Sequence, residues 1–101
     1  MSLEIINNKG TFEICGEFTR ENKGKVKEYF NDLLDNYYEV VMCLNKIKKI
    51  DESAIDVLKF IHNKAAKRSK ILFVLGKENK IINKTFKVFN ISHIFKNDYN
   101  Q

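Results

Sequence analysis

Proline is absent from the 101 residues, which leaves any helix in the chain free of forced kinks. Cysteine occurs only as Cys15 and Cys43, each inside an apolar, strand-like run. Neither has the CxxC spacing or the nearby histidine that a metal or redox site needs. Both are expected as buried free thiols, with no metal and no cofactor. No apolar run approaches the ~20 residues of a membrane span, and the N-terminus carries no signal-peptide hydrophobic region. With the cysteine usage, this points to a reduced, cytoplasmic compartment. Repeats, low-complexity tracts and linkers are missing too, so residues 1–101 are expected to be a single domain in which only residues 96–101 fray. The chain also lacks a Ser-His-Asp order, a glycine-rich phosphate loop and an HExxH motif. Asp51 and Glu52 are adjacent and do not converge on one substrate as an acid/base pair would; His62 and His93 read as surface or boundary side chains. The sequence is not that of an enzyme.

What is present is a chain with the composition of an ordinary soluble globular protein, 44% hydrophobic and 31% charged, long enough to bury a core of its own. Eighteen Lys and Arg against thirteen Asp and Glu give a net charge of +5, which permits an acidic partner without requiring one. The densest basic cluster, Lys64, Lys67, Arg68 and Lys70, lies at the C-terminus of an expected helix, where positive charge is favoured locally.

Leu3–Asn7 and Thr11–Gly16 read as two strands joined by Asn8-Lys9-Gly10, a hairpin in which Gly10 supplies a left-handed turn and Asn8 tolerates one. Gly16-Glu17-Phe18 leads as a turn into Thr19, expected to cap a helix whose apolar face is Val26, Phe30, Leu33 and Tyr37; Gly24 weakens its first turns. Glu39–Leu44 is a short apolar run of the kind buried on both faces of a sheet. From Asp51 a second helix follows, with Ile55, Leu58, Ile61 and Ala65 on its inner face. Asp51 is its expected N-cap, accepting from the amides of Ser53 and Ala54, with Glu52 favourable at the positive end of the helix dipole. Lys70–Gly76 is a further strand, Ile82, Phe86 and Phe89 mark a third helix, and Ile91, Ile94 and Phe95 form a last apolar patch. The order β-β-α-β-α-β-α predicts an α/β fold in which an opening hairpin is followed by β-α crossovers. About three helices should pack on one or both faces of a small mixed sheet.

Four features together resemble a STAS domain, the fold of the bacterial anti-sigma-factor antagonists: the Gly16-Glu17-Phe18 segment, the Val40–Leu44 strand, the Ile50-Asp51-x-Ser53 turn opening a helix, and the Asn90-Ile91-x-x-Ile94-Phe95 ending. The resemblance runs from about Leu3 to Phe95. It implies a protein-interaction domain that regulates transcription by docking a partner kinase that is also an anti-sigma factor. The docking surface it implies is the regulatory turn Asp51, Glu52, Ser53, Ala54 and Ile55, with Glu17, Phe18 and Thr19 beside it. In the antagonists the residue after the turn's aspartate is phosphorylated, which releases the partner. Here that position is Glu52, Ala54 stands in place of a glycine, and Thr19 in place of an acid.

Glu52 can therefore act as a fixed negative charge that holds the protein in something like the phosphorylated, released state, or simply as a first-turn acid on a constitutively docking domain; alternatively the phosphorylation site has moved to Ser53. Two other functions stay open at this stage. The same fold serves as a scaffold subunit in lipid- or anion-transport complexes, where it would hold a transport ATPase or permease. The basic cluster from Lys64 to Lys70 allows a small nucleic-acid binder.

Overall fold

The computed structural model describes residues 2–97. Strands β1 (Leu3–Asn8) and β2 (Thr11–Phe18) pair antiparallel, from Leu3 opposite Gly16 to Asn8 opposite Thr11. The left-handed residues of their turn are Lys9 and Gly10, at φ 53° and 95°, and the Asn7 carboxamide oxygen accepts from the Gly10 amide at 2.9 Å. Asn8, expected to share the left-handed role, instead ends the strand.

After the hairpin come α1 (Lys23–Asn36), β3 (Glu39–Cys43), β4 (Ile47–Ile50), α2 (Glu52–Lys67), β5 (Ile71–Leu75), α3 (Lys80–Val88) and a 3-10 helix, Ser92–Asn97. The sheet runs β1-β2-β3-β5, with β3 parallel to both β2 and β5. This is the expected mixed sheet with three helices and an opening hairpin. It has one strand more than the sequence suggested, because β4 pairs in parallel with the far half of β2.

Alternation along the strands decides the core. Ile14 and Phe18 of β2, Val40 and Met42 of β3, and Leu72 and Val74 of β5 are buried. They form one cluster with Val26, Phe30 and Leu34 of α1 and with Ile55, Leu58, Ile61 and Ala65 of α2. Each large aliphatic or aromatic side chain so buried contributes about 1.5–3 kcal/mol relative to exposure. Phe12 adds edge-on contacts to Tyr29 and Phe30, with ring centroids 5.9 and 6.3 Å apart.

Several local expectations are corrected. The Gly16–Phe18 segment is strand, not turn, and Thr19 does not cap α1. Thr19 is buried and its carbonyl accepts from the Asn22 amide at 2.9 Å. Asn22 takes the cap position, and its own side chain reaches back to the Glu17 carbonyl at 2.8 Å instead of bonding the helix. Tyr37 lies past the end of α1 and is 57% exposed. Of the cysteines, Cys43 is buried, but Cys15 is only half-buried. The expected fraying covers Lys96 and Asn97, which belong to the final 3-10 helix, and residues 98–101, which lie outside the described residues.

Candidate functional site

The site is built by a register shift. The pairing of β2 with β4 shifts between Gly16 and Glu17, which face Ile47 and Lys49, so that Lys48 of β4 is left over. Gly16 sits there at φ 104°, and a Cβ on it would run into the Ser2 carbonyl oxygen, so the position takes glycine. Its amide donates to the Lys46 carbonyl at 3.1 Å, which fixes the start of β4. Strand β4 then runs beside Glu17 and Phe18 and ends at Ile50. The next residue, Asp51, is thereby set against the connection between β2 and α1.

Asp51 joins the two turns. Its Oδ1 accepts from the Ala54 amide at 3.1 Å, capping α2, and its Oδ2 accepts from the Arg20 amide at 2.9 Å. The cap therefore bonds Ala54 and, in place of Ser53, an amide 31 residues away. A carboxylate at a helix N-terminus is also favoured by the dipole. Glu17, Thr19, Arg20, Glu21, Lys49 and Asp51 line an open cleft of about 240 Å³ beside this junction.

Burial separates the sequence-predicted site residues into two groups. Glu52, the first residue of α2, is exposed, and Asp51 and Ser53 are half-buried. Ala54 and Ile55 are 0% and 1% exposed, so they hold the helix to the core and present nothing to a partner. Phe18 at 0% and Thr19 at 8% exposure likewise correct the adjacent surface, of which only Glu17 keeps an accessible side chain. Two exposed residues were missed: Glu21, and Asp56, which stands one helical turn beyond Glu52 on the same face. The spacing of Glu52 and Asp56 was a readable signal. The place of Arg20 was not, since it depends on β4. The charges gathered here are Glu17, Glu21, Asp51, Glu52 and Asp56 against Arg20, Lys49 and, on the same face of α2, Lys59, which leaves a modest acidic excess.

The basic cluster at the other end of α2 is largely engaged within the fold. Lys64 Nζ lies 2.7 Å from Asp35 Oδ1 and 2.5 Å from Asn31 Oδ1; Arg68 is 3.7 Å from Asp35, and Lys70 donates to the Tyr37 carbonyl at 3.1 Å. The hydrogen bond from Lys64 holds the Asp35 carboxyl below its ordinary range. Partial burial pushes the Cys15 thiol up, with Lys46 opposing and Glu13 and Glu4 adding to the rise. Among the described residues no group of three or more His, Cys, Asp or Glu is placed to hold a metal ion, and no helix is long and apolar enough to cross a membrane.

This architecture is similar to that of two solved anti-sigma factor antagonists. One is SpoIIAA in its unphosphorylated form, with a TM-score of 0.63 at 10% identity over 85% of this chain and 82% of that one. The other comes from Mycobacterium paratuberculosis, with a TM-score of 0.68 at 11% identity over 93% of this chain and 81% of that one. At such identity the likeness speaks for the fold alone. No curated protein matches the sequence. The model of the STAS domain, by contrast, matches residues 1–100, and the chain accordingly belongs to the STAS-domain family.

Proposed function

We propose that residues 1–101 form one non-catalytic docking module of the anti-sigma-factor-antagonist kind, working in the cytoplasm and engaging a serine kinase that doubles as an anti-sigma factor. The contact is the acidic surface at the N-terminus of α2, with Glu52 at its centre. The observation that carries this reading is the double use of Asp51, which caps α2 and ties down the β2–α1 connection. The backbone of the surface is therefore held before a partner arrives, which lowers the ordering cost of binding.

Glu52 occupies the antagonists' phospho-acceptor position, exposed and unable to accept phosphate. A carboxylate carries about one negative charge where phosphoserine carries about 1.5 to 2, so Glu52 holds the turn permanently acidic. Because negative charge at this position releases the antagonists' partner, constitutive docking here requires a partner whose facing surface is basic, so that Glu52 attracts it and no phosphorylation switch is needed. The test is to incubate the wild type and Glu52→Ser with ATP and the cognate serine kinase, followed by intact-mass analysis and site mapping. One phosphoryl group on position 52 of the variant and none on the wild type is the expected result. Phosphorylation of wild-type Ser53 would instead place a working switch one residue along, and overturn the constitutive reading.

A further inference from the structure

The acids and bases are unevenly divided along the chain. Residues 1–56 contain eleven acidic side chains and eight basic ones, whereas residues 57–97 contain one acid, Glu78, and ten bases. Part of that excess is neutralised where Lys64 and Arg68 meet Asp35. On α3 it is not. Lys80, Lys84 and Lys87 are all exposed, and among the described residues none has an acidic partner.

Their spacing of four and three residues puts them on one helix face, where like charges repel. Lys80 also occupies the first position of α3, at the positive end of the dipole, in a first turn without an acid. The same face carries Ile81 and Val88, 45% and 69% exposed, while Ile82 and Phe86 turn inward at 0%. Repelling lysines and wet aliphatic side chains are both unfavourable in the isolated molecule. A surface that is anionic and has an apolar interior relieves both at once.

We propose that the outward face of α3 is a peripheral binding site for an anionic phospholipid surface. Lys80, Lys84 and Lys87 contact headgroup phosphates, and Ile81 and Val88 enter the boundary with the acyl chains. Nucleic acid fits this face less well, because none of these five side chains is an aromatic that could stack on a base. The site is independent of the acidic turn and stands whether or not that turn docks a kinase.

Flotation of the full chain with vesicles tests it. The protein should float with phosphatidylcholine vesicles containing phosphatidylglycerol, remain behind with phosphatidylcholine alone, and lose binding as salt rises. The double variant Lys80→Gln/Lys84→Gln should bind about thirtyfold more weakly, from roughly 1 kcal/mol per lysine at an anionic surface. Ile81→Ser/Val88→Ser should weaken binding with no change in charge. All four positions are exposed, and an unchanged thermal melt verifies that the variants fold. Absence of flotation with phosphatidylglycerol, or flotation indifferent to both double variants, overturns the proposal. So does a lysine-dependent retention of duplex DNA, or of a polyglutamate column, by a protein that ignores the vesicles.

Discussion

Asp51 uses its two carboxylate oxygens for different purposes, and the site depends on both. One oxygen caps α2 through Ala54 and the other holds Arg20. Asp51→Ala should lower stability by about 1–2 kcal/mol in urea unfolding, from the lost cap and one unmet amide. Asp51→Asn, which keeps a capping oxygen, should lose less. The capping half of this role was legible in the sequence, since an aspartate before an apolar run of helical period is a start signal. The Arg20 half was not, because the two residues meet only through the pairing of β4 with β2 and its register shift after Gly16. Burial was also beyond local reading at this scale: Phe18, in a segment that carries the family resemblance, and Ala54 and Ile55, in the turn it implies as a docking surface, are buried in the core.

Among the elements, β4 is the one the sequence concealed. Ile47-Lys48-Lys49-Ile50 is only four residues long, and its two lysines are exposed. Its hydrogen-bonding partner is the far half of β2, Gly16 to Phe18, much earlier along the chain and in parallel register. No local pattern reports such a pairing, whereas the three helices and the hairpin each announce themselves by periodicity or turn chemistry. The outer side of the break between β3 and β4 is closed by Asn79. Its Nδ2 donates to the carbonyls of Leu44, Asn45 and Ile47 at 3.0, 3.2 and 2.9 Å, and its Oδ1 accepts from the Ile81 and Ile82 amides at the start of α3. Asn79→Ala should cost about 2–3 kcal/mol, through the lost cap and partly unmet carbonyls, in the same urea measurement.

The α1–α2 pair has its own polar clamp at Lys64, whose side chain is 11% exposed between Asn31 and Asp35. Because the folded-state pKa of Asp35 is lowered from 3.8, its stabilising contribution is complete above that value and is lost as pH falls through the lower folded-state pKa. Asp35→Asn should therefore melt below the wild type at pH 7, and the gap should narrow as the pH drops from about 4. Melting curves across that range measure it.

Over the whole molecule, charge is segregated in a way that fold alone does not require. An acidic surface surrounds the N-terminus of α2, while the outward face of α3 is basic and partly apolar. The overall charge of +5 conceals this division, and the sequence reading accordingly placed the notable bases at Lys64–Lys70, which the fold largely engages. Docking through the acidic surface predicts a partner of opposite charge whose affinity responds to Glu52 and not to α3. The most direct measurement is calorimetric titration of the proposed partner, an anti-sigma-factor kinase, with the wild type, Glu52→Lys and Lys84→Gln. Docking at the α2 N-terminus requires Glu52→Lys to bind at least about tenfold more weakly through charge repulsion and Lys84→Gln to bind as the wild type does. Equal affinity for the wild type and Glu52→Lys would contradict it.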